Sequence, residues 1–218
     1  MVRPTIQRSA QLESWFAHAK PIDSLEPEIA FHLHDEFRPV LGGPAEPLAS
    51  PGFPRAERLL ARTREVMGHE AELAAYYAQV VAAARRHALT LDQVRHYFWL
   101  DLQLDNEEAG VQLSFPWYDT FATMDHFLAA IAGDDQGLIY DDQDQGWAVE
   151  VWARNGTLYI RQSDPEADDD PGQAVTLPRA GLQARIAPLR ERTVKIVAQL
   201  AKELGADVWT TGEAPSFP

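Results

Sequence analysis

The sequence predicts an α+β fold, on three observations. Apolar residues recur at helical spacing through much of the first half. An Asn-Gly pair sits between two alternating runs at 147–162, the signature of a β-hairpin. A last amphipathic stretch closes at Gly205. Together they imply a helical N-terminal half, an antiparallel meander over about 138–162, and a C-terminal amphipathic helix packed on the sheet.

From the N-terminus, Leu12, Trp15, Phe16 and Ala19 have helical spacing, which predicts a short helix over Ser9 to Lys20. Ile29 to Phe37 reads as a second short helix. Eight of the 15 prolines fall within the first 54 residues, and 39–54 is a loop by composition: lid, linker or packed segment. Arg55 to Met67 reads as helical, and Gly68 separates it from a longer helix. In that helix Leu73, Tyr76, Tyr77, Val80, Val81, Ala84 and Ala88 follow the apolar stripe. Thr90 is placed to cap the next element, with Asp92 in its first turn.

Residues 97–115 fit two readings. Leu100, Leu102 and Leu104 alternate with polar residues, as do Val111, Leu113 and Phe115, which suits a hairpin closed by NEEAG. A helix from Leu91 to Ala109 suits the pattern nearly as well. Ala122 to Ala132 is a helix with Phe121, Met124, Phe127, Leu128 and Ile131 on one side and Gly133 as its stop. Strands follow at Leu138–Asp141, Trp147–Arg154 and Thr157–Gln162, then an acidic loop at 163–173. The final helix presents Ile186, Leu189, Ile196, Val197, Leu200 and Leu204, and Pro188 is expected to start or kink it.

A two-residue turn at Asn155-Gly156 fixes the hairpin register. It pairs Arg154 with Thr157, Trp152 with Tyr159 and Glu150 with Arg161 on one face. Ala153 with Leu158 and Val151 with Ile160 form an apolar face expected to pack on helices. The first face is expected to meet solvent, leaving Trp152 and Tyr159 side by side on an accessible surface.

A length of 218 residues suits one domain, with 1–96 (helical) and 97–218 (α+β) as the alternative subdivision. There are no cysteines, which excludes disulfides, thiolate nucleophiles and Cys-based zinc sites. No secretory signal or membrane-length apolar run is present, and cytoplasm is the expected compartment.

The net charge of −14 is uneven. Residues 101–172 hold 17 acids against two bases, Arg154 and Arg161, whereas 1–100 hold 12 acids and 11 bases. Such a segment makes nucleic-acid backbones and anionic membranes poor partners; it serves either solvation or the attraction of a basic protein.

Phosphate-binding glycine loops and nucleophile elbows are absent. His69-Glu70 opens a zincin-like motif, but Leu73 stands where the second histidine belongs. DDQDQG (Asp141 to Gly146) echoes a calcium loop but places Trp152 at the twelfth position, and it reads as a turn. His32 and His34, in HLHDE, are the best metal candidates but form only half a ligand set. Asp125-His126 lacks any associated nucleophile. No cofactor and no metal are expected.

The acidic hairpin region DDQDQGWAVEVWARNGTLYIRQSDPEADDD and the closing ELGADVW resemble, in general character, the small acidic immunity proteins of bacterial toxin systems, across about the C-terminal 85 residues. The resemblance implies a non-enzymatic inhibitor that binds a basic partner, a toxin domain in that case. The contact residues would be Asp141, Asp142, Asp144, Trp152, Tyr159, Asp164, Glu166, Asp168, Asp169 and Asp170. The alternatives are a metal-assisted hydrolase with its site around His32 and His34, and a regulatory domain.

Overall fold

The computed structural model describes residues 14–39, 43–115, 120–144, 147–164 and 172–210, the side chain of Asp144 excepted. In chain order these form α1 (14–18), β1 (Lys20–Pro21), β2 (Glu26–His32), β3 (Glu36–Phe37), β4 (Glu46–Pro47) and β5 (Leu60–Arg62). Next come α2 (Thr63–Val66), α3 (Glu70–Arg86), α4 (Leu91–Val94) with a 3₁₀ turn at Arg95–Phe98, β6 (Leu100–Asn106), β7 (Val111–Phe115) and α5 (Phe121–Ala132). The chain continues through β8 (Gly137–Asp144), β9 (Trp147–Arg154), β10 (Thr157–Ser163), β11 (Gln173–Pro178) and α6 (Arg179–Leu204). The strands make a five-stranded sheet in the order β1-β11-β10-β9-β8, a four-stranded sheet β5-β2-β6-β7, and the pair β3-β4.

The fold is α+β, but the N-terminal half is not helical. Ile29 to Phe37, expected as a helix, is instead strand β2 followed by β3. Ile29, Leu33 and Phe37 imitate a helical stripe, yet Glu28, Ala30 and Phe31 are buried as well, leaving no solvated helical face. Arg55 to Met67 is likewise not one helix. Its centre pairs with β2 in the register Phe31↔Ala61, and only Thr63–Val66 is helical.

The segment 97–115 is the hairpin β6–β7, with Gly110 at φ +61 as the amide of its turn donates to Glu107 O. Residues 14–18 of the expected Ser9–Lys20 helix are helical; 9–13 lie outside the described residues. The 39–54 loop contains the two-residue strand β4.

Helix α3 buries Leu73, Tyr76, Tyr77, Val80 and Ala84 as its spacing dictates. Thr90 caps α4 reciprocally with Gln93, whose Oε1 accepts from Thr90 N at 2.8 Å. Helix α5 matches expectation. Pro188 lies inside α6 and does not start it.

Chain contacts divide the molecule into two units, each discontinuous in sequence: 1–26, 105–113 and 127–186 in the first, and 27–104, 114–126 and 187–218 in the second. The first unit contains the five-stranded sheet. Its hairpin has the expected register in full: Arg154↔Thr157, Ala153↔Leu158, Trp152↔Tyr159, Val151↔Ile160 and Glu150↔Arg161. Asn155 and Gly156 take φ +51 and +78, the left-handed pair that a type I′ turn requires. Val151, Ala153, Leu158 and Ile160 are buried.

Sequence reading missed β11, which lies in the stretch assigned to loop and helix. It pairs antiparallel with β10, and β1 adds in parallel on its far side. Arg179, just after β11, donates to three backbone carbonyls around the end of α5: Ile131 at 3.1 Å, Ala130 at 3.0 Å and Asp135 at 2.6 Å. No helix among the described residues is long and apolar enough to cross a membrane.

The second unit holds an aromatic core around Trp209. Phe31, Tyr77 and Phe98 meet its ring at centroid distances of 5.0 to 6.2 Å. Trp209 O accepts from Phe121 N at 2.7 Å, which fixes the chain beyond α6 onto the start of α5.

Candidate functional site

Three of the four acidic residues in the strands of the five-stranded sheet, Asp141, Asp142 and Asp144, lie in its outer strand β8, and Glu150 lies in β9. Among the described residues, strand β8 is the outermost of this sheet. The strand expected over Leu138–Asp141 runs on to Asp144, so that Asp141 and Asp142, also read as the start of a turn, lie opposite Glu150 and Val149. The correction has a simple cause. Tyr140 and Asp142 continue the alternation inward, where the Tyr140 hydroxyl donates to Asp142 Oδ2 at 3.0 Å. The connection to β9 is thereby shortened to residues 145–146, outside the described residues.

Asp141 is exposed and shares a row with Glu150 and Arg161 on the next two strands. Arg161 Nη1 lies 3.9 Å from Glu150 Oε2, a long pair at the surface. Asp144↔Trp147 and Ala148↔Ser163 bring the end of β8, the start of β9 and the end of β10 to one end of the sheet. Asp164 follows there, half-buried. Glu166, Asp168, Asp169, Asp170 and the side chain of Asp144 lie outside the described residues.

Trp152 and Tyr159 are not an open aromatic face. Helix α1 covers them. The Phe16 ring lies 4.4 Å from Tyr159 and edge-on to Trp152 at 6.0 Å, and Trp15 is 6.4 Å from Tyr159. Both rings are half-buried. The register was legible, but the cover comes from more than 130 residues upstream. The cover is imperfect in one respect: the indole N–H groups of Trp15 and Trp152 are both buried without a hydrogen-bond acceptor among the described residues. Leu138, in the same cross-strand row as Trp152, remains 38% exposed.

His32 and His34 lie in the second unit, at and just beyond the end of β2. Three tyrosines pin this segment. Tyr76 OH accepts from His34 N at 2.7 Å, Tyr77 OH donates to His32 O at 3.0 Å, and Tyr97 OH accepts from Arg38 N at 2.7 Å.

The structure adds a third histidine, His96, which sequence reading missed. Its ring is perpendicular to that of His34 at 5.9 Å and tilted against Tyr97 at 4.3 Å. Its place before three aromatic residues in the run HYFW was the available signal. Burial lowers the pKa of all three imidazoles. His32, further lowered by neighbouring His34, falls to about 4.

The His34 and His96 rings line a pocket of about 310 Å³ together with Asp35, Glu36, Arg38, Leu59 and Tyr97. The described residues contain no group of three or more His, Asp or Glu side chains arranged to hold a metal ion. Asp125, considered with His126, is instead paired through both oxygens to Arg190 at 2.6 and 2.8 Å.

No family model, curated protein or solved structure matches the chain.

Proposed function

We propose that this chain is an acidic binding protein that captures a basic protein partner, in the manner of an immunity protein against a toxin domain. The observation that carries the reading is the edge of the five-stranded sheet. An outer strand bearing Asp141 and Asp142 stands in a segment with 17 acids and two bases. Negative potential concentrated on one region steers a basic partner and raises its association rate. The chain leaves β10 towards Glu166, Asp168, Asp169 and Asp170 from the end of the sheet where β8 turns into β9. Trp152 and Tyr159 contribute contact area only when α1 is displaced.

The test is affinity capture from the source cells with the full chain as bait, followed by binding kinetics with the captured protein. The reading requires a basic partner whose association slows as salt rises. Capture of neutral or acidic proteins alone would oppose it.

A further inference from the structure

The pocket beside β3 combines three recognition elements that the acidic edge lacks. Its first is an aromatic lining, half-buried His34 and His96 packed on the buried Tyr97. The Tyr97 ring meets His34 at 4.6 Å and His96 at 4.3 Å. Ring faces attract cations, and planar cations also stack on them.

The second element is a pair of carboxylates at the rim. Asp35 and Glu36 are paired within the chain to Arg58 and Arg38, through Arg58 Nε at 3.2 Å and Arg38 Nε at 2.7 Å. Both arginine side chains are about three-quarters exposed, at 75% and 74%. Ion pairs so open to water contribute little to stability, so an incoming cation can replace either arginine at small cost.

The third element is an acceptor. His34 Nε2 is buried and has no hydrogen-bond partner among the described residues. Burial lowers the His34 pKa, which favours the neutral ring. An unprotonated ring nitrogen accepts a hydrogen bond and repels no cation. Leu59, 47% exposed, offers apolar contact for an aliphatic stem.

Carboxylates, ring faces and a neutral acceptor within one small pocket match a flat, multiply donating cation. A guanidinium meets this description better than an ammonium group, whose charge is compact and whose donors are not coplanar. We propose that this pocket receives a guanidinium group, carried by an arginine side chain of a partner or by a free guanidino compound. The proposal stands independently of the acidic edge.

The full-length chain is titrated, with its histidine and tyrosine ring signals followed by NMR, against three probes. These are N-acetyl-arginine-methylamide, free agmatine and N-acetyl-lysine-methylamide. The expected result is saturable shifts at His34, His96 and Tyr97 with the two guanidinium probes, and binding of the lysine probe weaker by about fivefold or more. Tighter binding of the blocked arginine assigns the site to a partner's side chain; tighter binding of agmatine assigns it to a free compound.

The double variant Asp35→Asn/Glu36→Gln alters only rim positions, and its melting curve reports that it folds. It should bind the guanidinium probes about tenfold more weakly. Absence of saturable shifts in these rings, an equal response to the lysine probe, or undiminished binding by the folded double variant would each overturn the proposal.

Discussion

The five-stranded and four-stranded sheets treat acidic side chains in opposite ways. On the first, Asp141 stands at the outer edge in water, and Glu150 makes only a long pair with Arg161. On the second, Glu28 is 3% exposed. It accepts from Ile29 N at 3.2 Å, from Thr63 Oγ1, and from Arg192 Nη2, which lies 3.3 Å from each carboxylate oxygen. Arg192 Nε also donates to Thr63 Oγ1 at 2.8 Å, which closes the network. Gln103 and Asp101 are buried on the neighbouring strand β6 and hydrogen-bond each other at 2.8 Å.

In one sheet water solvates the charge; in the other the protein must supply every partner. The edge acids are therefore free to serve recognition, while the buried ones hold the fold.

Substitutions can break this contrast, and the largest effect comes from the apolar face. Val151 is fully buried between Ile160 and Tyr140 in the register. Val151→Asp is expected to cost more than about 4 kcal/mol and to unfold the protein, because it buries an unpaired charge. Circular dichroism and melting curves check it; unchanged melting would reverse the assignment of the faces. Glu28→Ala comes next. It strands Arg192 beside Thr63, and a loss of about 3 kcal/mol in chemical denaturation is expected.

The histidine segment gives a pH signature between these extremes. The folded pKa of His32, about 4, lies below the ordinary 6.5. Above pH 6.5 both states are neutral. As pH falls from 6.5 towards 4 the unfolded chain takes up a proton that the folded chain resists, so stability drops by about 2 to 3 kcal/mol. His34 and His96 shift in the same direction and add to the slope. His32→Asn should flatten it. Glu46, held low by His87 and Arg86, and Glu72, held low by His69, lose their contribution only below about pH 4.5, a separate window. Denaturation midpoints measured from pH 4.5 to 7.5 isolate the histidine part.

The smallest effect is expected at the edge. Asp141→Asn should change stability by no more than about 0.5 kcal/mol, since its carboxylate is solvated in both states. A large loss there would erase the distinction between the two sheets.

The same contrast explains what could be read in advance. The β9–β10 hairpin was legible because its alternation is strict and Asn155-Gly156 permits only a tight turn. Helices α3 and α5 were legible because each has one buried and one solvated side. Strand β2 was not, since burial on both faces removes the periodicity that separates strand from helix. Strand β5 has three residues, too few for a pattern, and β11 is six residues between an acidic run and a helix.

Of the candidate site, the pairing of Trp152 with Tyr159 followed from local register. Its covering by Trp15 and Phe16, and the meeting of His34 with His96, depend on contacts between distant parts of the chain. No local pattern encodes those contacts.

The central claim is that the acidic edge captures a basic protein, and association kinetics test it most directly. The full chain and a variant with Asp141, Asp142, Asp168, Asp169 and Asp170 changed to Asn are compared against the captured partner at low and high salt. The account predicts that the variant folds normally, associates about tenfold or more slowly at low salt, and loses most of the salt dependence. Equal association rates and equal salt dependence for the two proteins would contradict it.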